Sequence, residues 1–543
     1  MTYKWFGRSK LQKKTEKTQV ERLERANERF VADMDDRKIE HSLAEIKDHL
    51  QELFSECSDI VIRPFRLTDE TEAIMLFVDG LVHTETVNDT MRFIMNSDLA
   101  RVENDMLAQA DIPVSQIQSV DTYKDALLSV LSGDTALFFD GEERAILLGI
   151  RGPDTRSISE PETEAAIRGP REGFIENMRT NTSMLRRKLR TPDLKIKSMT
   201  IGKRSNTNIG IAYLKSIADP DMVKEVTGRL EKIDVDGIFE TGYIEEWIQD
   251  HSYSPFPQVQ YTERPDTVAA NLLEGRVAII VDGTPFVLLV PVTFWMMVQA
   301  SEDYYERVPV GYFIRWLRYI FLFIALLTPA FYVAVTTFHQ AMIPTTLLLS
   351  IAAARESIPF PAVVEALIME VTFEALREAG IRLPKTVGQA VSILGALVIG
   401  QAAVQAGIVS APMVIVVSIT GIASFTLPKF NLAITIRMLR FPFIFAASLF
   451  GVFGMILCGM LLLGHMVSLR SFGVPFMAPV APLIPGDLRD VLLRKPLWLI
   501  RRRPLMLPVQ NRLRQGPELP EEIRQQGGQR GGRISHDEQE RDS

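Results

Sequence analysis

The stretch "ARESIPFPAVVEALIMEVTFEALREAG", residues 354–380, places Arg355, Glu356, Glu365, Glu370, Glu374, Arg377 and Glu378 in the most apolar part of the chain. An ionised side chain at bilayer depth costs about 3 kcal/mol or more on insertion scales, so such groups serve a path, a pair or a water-facing surface. At 3.6 residues per turn, Glu370, Glu374, Arg377 and Glu378 fall within about 100° of helix surface, and Glu365 falls outside that sector. One reading is an interfacial helix with its polar stripe in water. The other gathers Glu370 and Glu374 into a ring at a pore mouth, where carboxylates select cations. Glu365 would then be buried against Arg355 or a partner. Pro359 and Pro361 end the preceding run and hold Ser357–Pro361 extended, with Pro361 suited to start the next helix and Gly380 to end it. The break at Ser357, Pro359 and Pro361 is the candidate gating segment.

A second pattern lies in 386–409, "TVGQAVSILGALVIGQAAVQAGIV". Gly395, Gly400 and Gly407, with neighbouring Ala and Ser, form a broad small-residue side of the kind that lets helices approach closely. Gln401 and Gln405 lie one turn apart, away from that side. They are either hydrogen-bonding residues of a packed helix or pore-lining candidates.

What must position these groups is a membrane domain, expected over 301–470. Spans are expected at about 313–338, 386–409, 411–427 and 441–467, with 341–380 re-entrant or interfacial. Basic residues crowd 486–515, and no apolar stretch follows the basic N-terminus as a signal peptide would require. Both ends are therefore expected on the cytoplasmic side, with four or six crossings. Lys429, Arg437 and Arg440 resist that topology, since they would lie outside. Pro329 reads as a kink in the first span, and His465 as an interfacial residue.

Before the membrane domain, a repeat is legible. "DIVIRPF" (59–65) aligns with "DLKIKSM" (193–199), and "AIMLFVDGL" (73–81) with "IGIAYLKSI" (209–217). "SGDTALFFDGEERAILLGI" (132–150) aligns with "EGRVAIIVDGTPFVLLVPV" (274–292), matching Asp140-Gly141 to Asp282-Gly283. Asp-Gly between two apolar runs is a hairpin signal. The expected fold is thus an α/β cytoplasmic region of two related subdomains, 37–152 and 193–300, plus an all-α multi-span membrane domain. A charged leader (1–36) precedes them. A basic connecting helix (153–192) joins them, its arginines facing solvent or another subunit. A basic cytoplasmic segment (471–515) and a disordered tail (516–543) follow.

The composition restricts the chemistry. The chain has 2 cysteines, Cys57 and Cys458, in different regions, so no disulfide framework or metal-ligand spacing arises. No glycine-rich phosphate loop or nucleophile motif occurs. No enzyme activity, cofactor, metal or nucleic-acid partner is expected.

"GPREGF", "FPQVQYTERPDTVAANLLEGRVAIIVDGTPFVLLVP", "SEDYYER", the 354–410 stretch and "APLIPGDLRDVLLRKP" resemble the A subunit of the GerA family of spore germinant receptors. The resemblance covers roughly 40–505, and the family includes a sporulation paralogue with a similar body. It implies a spore inner-membrane protein with two partners, a transporter-like B subunit and a C-subunit lipoprotein. It further implies a homo-oligomeric ring in the lipid membrane that conducts cations when nutrient binds. A carrier and a non-conducting signal-relay scaffold are the alternatives in the same complex.

Overall fold

The computed structural model describes residues 37–514 apart from 69, 97–113, 115, 153–159, 165 and 383–399. The leader 1–36, the tail 516–543 and most of the 386–409 stretch, Gly395 included, lie outside the described residues.

Two antiparallel sheets of the same topology form the first half. The first unit contains α1 (Leu43–Leu53), β1 (Ile60–Arg66), β2 (Glu72–Val78), α2 (Thr84–Asn96), β3 (Ile117–Val120), α3 (Tyr123–Val130), β4 (Thr135–Phe139) and β5 (Ala145–Leu148). The second contains α4 (Met178–Lys188), β6 (Leu194–Ile201), β7 (Thr207–Leu214), α5 (Pro220–Glu231), α6 (Thr241–Ile248), β8 (Gln260–Thr262), α7 (Pro265–Leu272), β9 (Val277–Val281) and β10 (Val287–Val290). Strand order is β1-β2-β4-β5-β3 in one and β6-β7-β9-β10-β8 in the other. The central strands β4, β5, β9 and β10 are buried throughout, as their continuous apolar runs require.

The aligned Asp-Gly pairs do the same work in both units. Gly141 and Gly283 take φ of 84° and 89°, which a tight hairpin turn needs. Asp140 accepts from the Leu43 N–H at the start of α1 at 3.0 Å, and Asp282 from the Met178 N–H at the start of α4 at 3.1 Å. Each carboxylate thus satisfies an orphan donor of its unit's first helix and complements the helix dipole.

The connecting helix departs from its solvated reading. α4 is wedged between the two units, and Arg186 is wholly buried. Its Nε and Nη2 donate to Asp59 at 2.6 and 2.9 Å. Arg179 pairs with Asp79 at 2.9 Å. These arginines stitch unit to unit and leave part of the expected basic face spent.

Short helices α8 (Phe294–Val298) and α9 (Glu302–Tyr305) lead into the apolar half. There α10 (Val308–Thr337), α11 (Thr345–Arg355), α12 (Ala362–Arg382), α13 (Gly400–Gln405), α14 (Ala411–Ser424) and α15 (Phe430–Ser468) form a bundle. α10 and α15 are long and apolar enough to cross a membrane, whereas α14, at 14 residues, is a shorter apolar helix. α12 begins after Pro361 but runs past Gly380 to Arg382.

α15 is not one rod. Gly451 has φ 62° and ψ −142°, a conformation closed to residues with a side chain, and the helix folds back there. Phe443 Cε1 lies 4.0 Å from where a Cβ on Gly459 would sit. At the other end, Thr435 Oγ1 donates to Pro255 O at 2.6 Å and His465 bonds Ser254 at 3.0 Å, so both arms return to the second α/β unit. The expected crossing at 441–467 is therefore the two sides of a hairpin. After it come β11 (Arg470–Ser471), β12 (Val474–Pro475) and α16 (Pro485–Leu492). The chain then passes back over the second sheet, where Val509 bridges Ala218 and Arg514 pairs with Glu274 at 3.0 Å.

Candidate functional site

The charged stretch that begins at residue 354 forms a ladder of ion pairs through the bundle. At the end remote from the sheets, Glu365 is completely buried and accepts from Arg355 Nε at 3.1 Å. Its other oxygen accepts from the Ser410 N–H at 2.9 Å. Ser410 is the N-cap of α14, so the carboxylate also meets the positive end of a helix dipole.

In the middle, Glu370 Oε2 lies 2.5 Å from Arg440 Nη1, and both side chains are 1% exposed. Arg440 Nε donates to Ala325 O on α10 at 2.9 Å. That carbonyl is free for a covalent reason. In an α-helix it would accept from the N–H of residue 329, and residue 329 is proline. Pro329 thus creates an acceptor at the depth where Arg440 needs one, beyond any kink it imposes. Among the described residues, Glu370 Oε1 and the Nη2 atoms of Arg437 and Arg440 find no hydrogen-bond partner.

Nearer the sheets, Glu374 is 30% exposed, 3.0 Å from Arg377 and 3.7 Å from Arg437. Where the bundle meets the α/β region, Asp303 accepts from Arg315 Nε at 3.2 Å and from Arg318 at 3.0 and 3.1 Å. Arg315 and Arg494 both stack on Tyr304. Burial pushes the Asp490 carboxyl up, with Arg315 opposing it, and Tyr304 donates to that carboxylate at 3.0 Å. Lys429, just before α15, pairs with Glu164 of the α/β region at 2.5 Å.

Lys429 therefore sits on the same side as the sheets, and Arg437 and Arg440 are bundle-interior partners of acids. The hairpin at Gly451 removes the conflict these three basic residues posed for a single crossing. Their excess over a normal apolar run was the sequence signal for partners to Glu370 and Glu374, but it carried no information on which acid met which base.

The remaining candidates are spread out. Gln401 and Gln405 are exposed on α13. Gly400 packs towards Val414, and a Cβ on Gly407 would lie 3.4 Å from Ser357 O. The break at Ser357, Pro359 and Pro361 thus abuts the turn between α13 and α14, and all three of its residues are exposed. Among the described residues, no group of three or more His, Cys, Asp or Glu is arranged to hold a metal ion.

Two antiparallel α/β units built onto an apolar helical bundle define the class of architecture. The chain belongs to the Bacillus/Clostridium GerA spore germination protein family, whose model matches residues 48–506. It is 51% identical to the "Uncharacterized membrane protein YfkQ" of Bacillus subtilis (strain 168), over 87% of this chain and 92% of that protein. It is 46% identical to "Spore germination protein KA" of the same organism, over 85% and 86% respectively. Among solved structures, the N-terminal domain of the A subunit of the Bacillus megaterium spore germinant receptor GerK3 is 33% identical, covering 47% of this chain and 97% of that one with a TM-score of 0.37.

Proposed function

We propose that the protein is the membrane-embedded A-type subunit of a spore nutrient germinant receptor, sited in the spore inner membrane. The α/β units and the segment after residue 470 face the cytoplasmic side. α10 crosses away from that side and the hairpin of α15 enters and returns. The subunit assembles with copies of itself, with a transporter-like B subunit and with a C-subunit lipoprotein, and the assembly passes cations when nutrient binds.

The observation that carries this reading is the line of charged residues through the bundle, which runs from the buried Glu365 and Glu370 to Glu374, whose side chain is 30% exposed. Ionisable groups are costly inside an apolar bundle and by default mark functional positions. Assembly is supported by α11, an apolar helix that buries none of its residues within one copy. The pairings revise the ion path. Glu365 and Glu370 are sequestered by arginines and act as structural charges. Glu374, Gln401 and Gln405, which keep exposed surface, are the residues left to line a path between copies.

A non-conducting relay is the second reading, favoured by the neutralisation of the inner acids. Reconstitution of the receptor with its partners in vesicles separates the two. Nutrient-dependent cation flux that falls several-fold in Glu374→Gln supports conduction. Absence of flux from a complex that still binds nutrient selects the relay.

A further inference from the structure

The second α/β unit carries aromatic side chains that its own core does not use. Trp247, in the last turn of α6, is 59% exposed, and Tyr253, in the loop that follows, is fully exposed. α6 buries Thr241, Ile244 and Ile248, and Trp247, one turn on from Ile244, borders that stripe with more than half of its surface outside the core.

Both residues are tied to the place where the bundle meets the sheets. Ser254, next to Tyr253, bonds His465 at the end of the α15 hairpin, and Thr435 on the other arm donates to Pro255 O. Phe256 is in the bundle core against Phe476. The C-terminal end of α6 is held from the same direction. Arg229 accepts no freedom there: it donates to Ile248 O at 2.5 Å, pairs with Asp250 at 2.7 Å and stacks 4.2 Å from Phe472, which follows the hairpin's exit. Leu463 and Val467, on the last turns of the hairpin, present more than half of their surface outward at this level.

We propose that Trp247 and Tyr253 rest in the headgroup zone of the lipid bilayer, making α6 and its following loop a membrane-contacting foot of the second α/β unit. Trp and Tyr suit that zone because each joins an apolar ring to one polar group. The foot fixes the tilt of the unit against the bilayer, so displacement of the unit must lift these rings out of lipid. The inference rests on the reading of the bundle as membrane-spanning.

Spin labels on the full-length protein test it, in a Cys57→Ser, Cys458→Ala background reconstituted into phosphatidylcholine–phosphatidylglycerol vesicles. Single cysteines replace Trp247, Tyr253, Leu463 as the lipid reference and Lys203 as the aqueous reference. Lys203, in the turn between β6 and β7, has 66% of its side chain exposed. Collision rates with oxygen and with a water-soluble nickel chelate report depth. Values at 247 and 253 between those of 463 and 203 are expected. Aqueous values at either position, with 463 in lipid, overturn the foot alone. Aqueous values at 463 overturn the membrane reading and the foot with it.

Discussion

The Glu370–Arg440–Ala325 arrangement makes a three-part prediction. Arg440 is 1% exposed and holds Glu370 at 2.5 Å and the Ala325 carbonyl at 2.9 Å. Opposite charges about 4 Å apart attract by about 4 kcal/mol at an effective dielectric of 20. Removing one partner leaves the other charge buried, which costs about 3–5 kcal/mol. Glu370→Gln is expected to lose about 3 kcal/mol or more. Arg440→Met is expected to lose a similar amount, plus about 1 kcal/mol for the Ala325 carbonyl it orphans. The double replacement Glu370→Met, Arg440→Met removes both charges and should cost far less than the sum, with a coupling of about 2 kcal/mol or more. The third part uses the proline. Pro329→Ala returns an N–H to Ala325 O, so it should recover about 1 kcal/mol of the Arg440→Met loss while doing little for Glu370→Gln. Reversible unfolding in mixed detergent micelles measures each variant. Additive single-mutant losses would refute the pairing. An Arg440→Met loss that ignores Pro329→Ala would refute the role given to the freed carbonyl.

Gly451→Val forces a side chain into a left-handed backbone, with its Cβ 2.8 Å from His339 Nε2, and should destabilise the hairpin by about 1–3 kcal/mol. Thermal unfolding in detergent micelles measures the loss, and an unchanged midpoint would refute the strain assigned to this turn. Arg186→Met, which strands Asp59 in the seam between the two units, should lower stability by about 3–5 kcal/mol and raise hydrogen exchange in β1 and β6 before other strands. Glu245 has its carboxyl pushed up from 4.5 to about 7 by burial and by Glu240. The folded state therefore prefers the neutral acid, and stability present below pH 4.5 is lost as pH rises through 7, by about 3 kcal/mol at most. Glu245→Gln should flatten that part of the stability–pH curve, read by thermal unfolding of α6, and an unchanged slope would rule the burial effect out.

Local chemistry was legible without coordinates wherever a short stretch determines its own geometry. The two Asp-Gly turns, the apolar runs beside them and the start of a helix after Pro361 are of this kind, since turn type, strand period and proline sterics act over a few residues. The α/β character of the first half followed from these, and so did the presence of costly charges in an apolar region. Tertiary structure decided what the charges do. An arginine seventy positions from Glu370 is invisible to helical periodicity, and only packing brings α15 onto α12. Sequence numbers likewise hid that Pro329 frees a carbonyl for Arg440, because the acceptor and its donor lie on different helices. The hairpin at Gly451 was hidden for a related reason. A glycine in a long apolar run reads as an ordinary small residue, and only contacts at both arms' ends reveal that the chain turns back. Pairing through space, with the low dielectric that makes an unpaired charge so expensive, is the physical content that the fold added.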